Sequence, residues 1–167
     1  FHWAWHGCAL WHRHRFTEAY ESLIKARRLG ESAKHPYLTG YACTWLSWPC
    51  TELGRFDEAI ENSRVAKEID PLSSSPAHWL AVGYLGQHEY DLAIAEFRET
   101  LDINPNWTWG YIKLTKTYAD AGRCEEAMAM AKDAEAQLHG GSTPLARSWL
   151  GYSYALCGDE QRTQAAL

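Results

Sequence analysis

A recurrence of 34 residues constrains this chain more than any other feature of its sequence. Within residues 74–107, Leu80 and Tyr84 fall four apart on one helical face. After a short turn, Ala93, Phe97 and Leu101 keep the same spacing, and Pro105 closes the segment. One period further on, Leu80 is matched by Leu114, Tyr84 by Tyr118 and Ala93 by Ala127. Such a segment holds two short amphipathic helices, and a lone helix pair cannot bury both apolar stripes. Copies must therefore stack on their neighbours, and the recurrence predicts an all-α repeat array.

Laid along the chain, the period divides a single array over residues 1–167 into units of approximately 1–35, 36–73, 74–107, 108–141 and 142–167, the last incomplete. The first places Trp3, His6, Gly7 and Leu10 on one face, then Phe16, Ala19, Tyr20, Leu23 and Ala26 on another; residues 30–35 read as a link. Pro36 suits the first turn of the next helix, where a missing N–H costs nothing. Tyr41, Trp45, Leu46 and Leu53 follow, then a turn at Gly54 and a second helix facing inward through Phe56, Ala59, Ile60, Ala66 and Ile69. Pro49 is expected to kink its helix or end it near Trp48. Ser75 and Thr143 read as helix caps before Pro76 and Pro144, with further turns at Gly122 and Gly158. The start at Phe1 and the stop within an unfinished helical pattern read as a piece of a longer protein.

Composition narrows the function classes. A net charge of −5 argues against direct nucleic-acid binding, which needs a basic face to displace counterions. No apolar run approaches the length of a membrane span, so no membrane is implied. Cys8, Cys43, Cys50, Cys124 and Cys157 are odd in number and lack C-x-x-C spacing, which predicts free thiols and a reducing, cytoplasmic setting. Nine Trp and nine Tyr are more large aromatics than thin helix pairs readily bury, so some must face a groove.

The order W-x₂-L-G-x₂-Y…A-x₃-F…P at this period resembles the tetratricopeptide repeat (TPR). Leu80, Tyr84, Ala93, Phe97 and Pro105 carry the resemblance in the third unit, and Leu46, Gly54, Ala59, Ala66 and Pro71 carry it in the second. The fourth adds Tyr111, Leu114, Tyr118, Gly122 and Ala127, the fifth Leu150, Gly151, Tyr154 and Gly158, and the first matches more weakly. Ala81 and Thr115 stand in place of the small glycine, and Ser63 and Ala131 in place of the large second-helix residue. The resemblance implies a right-handed α-α solenoid of about five stacked helix-turn-helix units whose first helices line a concave groove. It implies protein–protein interaction through that groove, not catalysis. The run from His139 to Asp159 also resembles late repeats of bacterial multidomain regulators, which implies a sensor region joined to an enzyme or DNA-binding domain.

Candidate site residues lie one step off the core stripe. Trp5, Trp45, Trp79, Lys113 and Trp149 occupy one column in successive units; flanking columns hold Phe1, Tyr41 and Trp109, then Trp48, Lys116 and Tyr152, with His78 beside Trp79. Two readings of this column stand side by side. Either the rings cover one another across adjacent first helices, or they receive a peptide or partner segment bearing aromatic, proline or cationic side chains. Lys113 and Lys116 could hold a ligand carboxylate. No catalytic residue, cofactor site or metal site is expected: His2 and His6 stand four apart with Cys8, His12 and His14 nearby, but helical spacing places no third ligand. Self-association into a homo-oligomer is the alternative use of an uncovered repeat edge.

Overall fold

The computed structural model describes residues 2–11, 13–138 and 143–166. Phe1, His12 and the 139–142 stretch of the expected fourth link lie outside them. Ten helices follow one another among the described residues: α1 His2–Trp11, α2 Phe16–Ser32, α3 Pro36–Glu52, α4 Phe56–Ile69, α5 Ser74–Gly86, α6 Tyr90–Ile103, α7 Thr108–Asp120, α8 Cys124–Gln137, α9 Pro144–Leu156 and α10 Glu160–Ala166. They gather into two compact units, Phe1–Glu89 and Tyr90–Leu167. The first is centred on Leu23, Ala26, Ala42, Leu46, Cys50 and Ala59. The second is centred on Ile112, Ala131, Ala134, Ala146, Leu150 and Tyr154.

The repeat register governs what is buried. Leu46, Leu80, Leu114 and Leu150 are each at most 3% exposed, and Ala59, Ala93 and Ala127 are fully covered. An alanine at the second-helix position lets two helix backbones approach closely, which is why the small residue recurs with the large one. Where the large partner is exchanged for Ser63, the vacancy is filled by chemistry: Ser63 Oγ donates to Ser47 Oγ at 2.9 Å, and Ser47 Oγ donates to the Cys43 carbonyl at 3.0 Å.

Each hairpin turns through one left-handed residue. Gly54, Gly122 and Gly158 have φ of 70°, 72° and 74°, while His14 and His88 take the same position in their own turns at 56° and 61°. A Cβ added at Gly122 would meet nothing within 4 Å, so substitution there tests backbone strain alone. Gly122→Ala is expected to cost about 1 kcal/mol. That lowers the melting temperature by roughly 2–4 °C, measured by circular dichroism.

Several expectations shift. In α1 the covered face is Ala4, Gly7, Cys8 and Leu10, one residue round from the predicted stripe; Trp3 is exposed, with the Lys25 ammonium 4.8 Å from its ring. His6 Nδ1 lies 3.0 Å from Ser22 Oγ in a hydrogen bond. Helix α3 passes through Pro49 and ends at Glu52. Proline in its last turn removes only the bond to the Trp45 carbonyl, a small loss beside the packing of Leu46 and Cys50. Leu53, the C-cap of α3, is 38% exposed. Helix α5 begins at Ser74 with Ser73 as its N-cap, so Ser75 does not cap it and Pro76 takes the third position, still within the turn that needs no N–H. Pro36 and Pro144 do open α3 and α9, and Thr143 Oγ1 accepts from the Ala146 N–H at 3.2 Å.

The cysteine expectation is overturned. Cys124 and Cys157 form a disulfide with Cα atoms 5.4 Å apart and a sequence separation of 33. That interval is almost one repeat, so the bond joins opposite sides of two adjacent hairpin turns, Cys124 just after Gly122 and Cys157 just before Gly158, a proximity local C-x-x-C spacing cannot reveal. The argument for a reducing compartment loses its ground with it. Cys8, Cys43 and Cys50 remain free and buried, and burial raises their thiols to about 11, 11 and 12. They stay protonated and unreactive near neutral pH.

Candidate functional site

Helix α3 is the spine of the aromatic surface in the first unit. Tyr37, Tyr41, Trp45 and Trp48 follow one another by four, four and three residues, the spacing that keeps side chains on one helical face. Their rings run in contact: Tyr37–Tyr41 at 6.4 Å, Tyr41–Trp45 at 6.1 Å and Trp45–Trp48 at 6.2 Å, the last nearly parallel. Neighbouring helices add a ring beside Tyr41 and another at the Trp48 end. Trp5 of α1 reaches Tyr41 at 6.1 Å, and Trp79 of α5 meets Trp48 at 4.7 Å. The ring contacts link Trp5, Trp45 and Trp79 of the predicted column through other rings. Tyr41 and Trp48, assigned to flanking columns, are the rings that join them.

Coverage along this row is uneven. Trp5 and Tyr37 are each 64% exposed, whereas Tyr41, Trp45, Trp48 and Trp79 are half-buried. Tyr37 was not among the predicted residues, although its spacing from Tyr41 could have revealed it. His78 corrects an expectation: it is buried, with its ring edge-on to Trp79 at 4.9 Å, so it supports that indole from beneath and does not line a groove. Tyr41 also touches the core side. Desolvation raises its phenol above the usual range, and the Cys8 thiol beside it adds to the effect. The charge on this row is nil at neutral pH. Contact between the rings contributes about 0.5–1.5 kcal/mol per pair beyond area burial.

In the second unit the predicted residues form a different object. Lys113 Nζ sits 3.9 Å from the Trp149 ring centre, and Lys116 Nζ lies 5.7 Å from Trp149 and 5.0 Å from Tyr152. Lys116 is ion-paired with Asp120, whose other oxygen accepts from the Tyr152 hydroxyl at 3.1 Å. The phenol of Tyr152 is raised, first by desolvation and then by that carboxylate. Lys116 and Asp120 are 21% and 12% exposed, a partly buried pair within α7 that Tyr152 ties to α9. Its lysine is not a solvated one. Trp109 packs against the Ile112/Leu150 cluster and belongs to the core edge. The arrangement combines two ammonium groups with an indole and a phenol, each held by a partner on the neighbouring helix.

No helix among the described residues is long and apolar enough to cross a membrane. No protein-family model matches the chain, and no curated protein matches it in sequence. Solved structures do. A thermophilic TPR protein of Thermus thermophilus superposes with a TM-score of 0.79 at 22% identity, covering 96% of this chain and 84% of that one. The putative kinesin light chain TPR-like repeats of Podosopora anserina give 0.77 at 17% identity over 98% and 89%. YrrB, described as a TPR protein with an unusual peptide-binding site, gives 0.67 at 16% over 98% and 80%. At these identities the likeness concerns fold, and it agrees with the register of Leu46, Leu80, Leu114 and Leu150 found in the core. This chain has the all-α helix-pair fold of the tetratricopeptide-repeat proteins.

Proposed function

We propose that this chain is a protein-interaction module that binds an extended peptide or partner segment along the Trp5/Tyr41/Trp45/Trp48/Trp79 ladder. The observation that carries the reading is the ladder itself: a preassembled, uncharged row of rings left partly open at the surface. A monomer gains nothing from leaving the outer faces of these half-buried indoles open, since a large ring left wholly uncovered, as Trp5 nearly is, forgoes about 2–4 kcal/mol of burial. Aromatic anchors that are rigid beforehand lose little entropy on binding, which is why tryptophan dominates binding hot spots. The peptide-binding description of YrrB, a structural neighbour, agrees with this use of the fold. Catalysis has no comparable support, because the ladder carries no paired acid and base.

The test is selection of peptides from a displayed random library, followed by calorimetry on the purified protein. Trp45→Ala with Trp79→Ala is expected to weaken the selected peptides by about 2 kcal/mol, roughly thirtyfold, with the helical spectrum unchanged. Equal affinity in the double variant would remove the ladder from the function. Sedimentation separates the other occupant, a second copy of this chain: a mass that rises with concentration and falls back in the double variant would assign the ladder to self-association.

A further inference from the structure

We infer that the Cys124–Cys157 bridge is a reducible latch, opened by a dithiol, that governs the order of α9–α10 and thereby of the Trp149 and Tyr152 half of the Lys113–Lys116 cluster. This does not depend on the peptide-binding reading. Cys124 is the first residue of α8 and Cys157 caps α9, so the bond joins two adjacent hairpin turns at one edge of the second unit. Both cysteines are half-buried, within reach of a thiolate, whereas Cys8, Cys43 and Cys50 are buried.

Ala146, Leu150 and Tyr154 seat α9 in the core of its unit, so what the bond restrains beyond that packing is the α8–α9 gap and α10. Helix α9 packs on α7 and α10 and only marginally on α8. Between α8, α9 and α10 lies a pocket of about 250 Å³, lined among others by Glu135, Leu138, Arg147, Tyr154 and Arg162. Helix α10 buries no residue. Across this gap the Tyr154 hydroxyl donates to Glu135 Oε1 at 2.6 Å, and Arg162 reaches the Met128 sulfur at 3.9 Å, a weak acceptor. A cross-link closing a loop of this size shifts an opening equilibrium by on the order of a hundredfold, so its loss falls chiefly on the element with the least packing. That element is α10, and its release frees the outer face of α9 that carries Trp149, which lies under Lys113, and Tyr152, which is hydrogen-bonded to Asp120.

The exchange balances with a dithiol as reductant. Its first thiolate bonds Cys157 Sγ, and Cys124 leaves as a thiolate, favoured by its place at the N-terminus of α8. The second thiol then displaces Cys157, and the dithiol departs as its own disulfide. Its two protons end on Cys124 and Cys157, which take up two electrons.

Hydrogen exchange read by mass spectrometry tests the latch on three samples: the oxidised chain, the chain reduced with dithiothreitol, and the Cys124→Ser/Cys157→Ser variant. Amides of 144–166 are expected to exchange at least tenfold faster in the reduced chain and the variant, with 36–52 unchanged and the variant indifferent to dithiothreitol. Equal exchange of 144–166 in oxidised and reduced chains would overturn the proposal. So would equal acceleration over 36–52, which would make the bridge a general staple, or alkylation of both cysteines by iodoacetamide in the air-oxidised chain.

Discussion

Tyr118→Ala is expected to lower unfolding stability by about 4 kcal/mol, a large share of the ~5–15 kcal/mol that holds a typical domain together. Tyr118 is 1% exposed and is among the largest fully buried side chains of the chain. Its ring is capped from two directions, with the Arg98 guanidinium 5.7 Å and that of Arg123 5.1 Å from the ring centre. Truncation opens a cavity that helix backbones cannot close, and it strips both guanidinium groups of their aromatic partner. Tyr118→Phe keeps ring and cations together and is expected to cost under about 1 kcal/mol. Urea titration distinguishes the two, with the slope unchanged in both and the midpoint moved strongly in the alanine variant alone. If alanine and phenylalanine behaved alike, the ring would not be a core element, and the repeat register at Tyr84, Tyr118 and Tyr154 would lose its energetic meaning.

That register was legible because burial repeats with the sequence period. Leu80, Tyr84, Ala93, Phe97 and Leu101 were all placed inside from spacing, and all are at most 9% exposed. The helix type followed from the same spacing, and the turns at Gly54, Gly122 and Gly158 from the need for a left-handed residue. What the period could not reveal was contact between units of the pattern. It gathered Trp5, Trp45 and Trp79 into one column, yet contact passes through Tyr41 and Trp48, because ring position depends on rotamer and helix crossing as well as on repeat phase. His78 was misplaced for the same reason: a residue beside a groove position sits inside when its helix is rotated slightly. Lys113 and Lys116 were legible as residues but not as a knot, since the Asp120 and Tyr152 that tie Lys116 lie four and 36 residues away from it. The disulfide escaped because its partners are neighbours only once the array is stacked.

Gly30 is where local sequence and packing disagree most, and its substitution has the second-largest expected effect. Glycine before Glu31 and Ser32 reads as the start of a link, but α2 continues through it to Ser32. In the middle of a helix, replacing glycine by alanine ordinarily stabilises by about 1 kcal/mol, through lower chain entropy in the unfolded state. Here the added Cβ would stand 2.7 Å from Thr39 Oγ1, 2.9 Å from the Thr39 nitrogen and 3.1 Å from its Cα. The hydroxyl could turn away. The backbone cannot, because the Thr39 N–H donates to the His35 carbonyl at 3.1 Å in the first turn of α3. Gly30→Ala must therefore push α2 and α3 apart, at an expected net cost of about 2 kcal/mol. Gly7→Ala is the comparison: its Cβ would stand 2.5 Å from Leu23 Cγ, a clash that a turn of the leucine about χ1 relieves at some cost to the core, where a backbone cannot turn at all. Urea midpoints should therefore rank the wild type first, Gly7→Ala second and Gly30→Ala last. A Gly30→Ala protein more stable than the wild type would mean that α2 and α3 do not approach this closely, and the glycine would revert to the breaker its sequence context suggests.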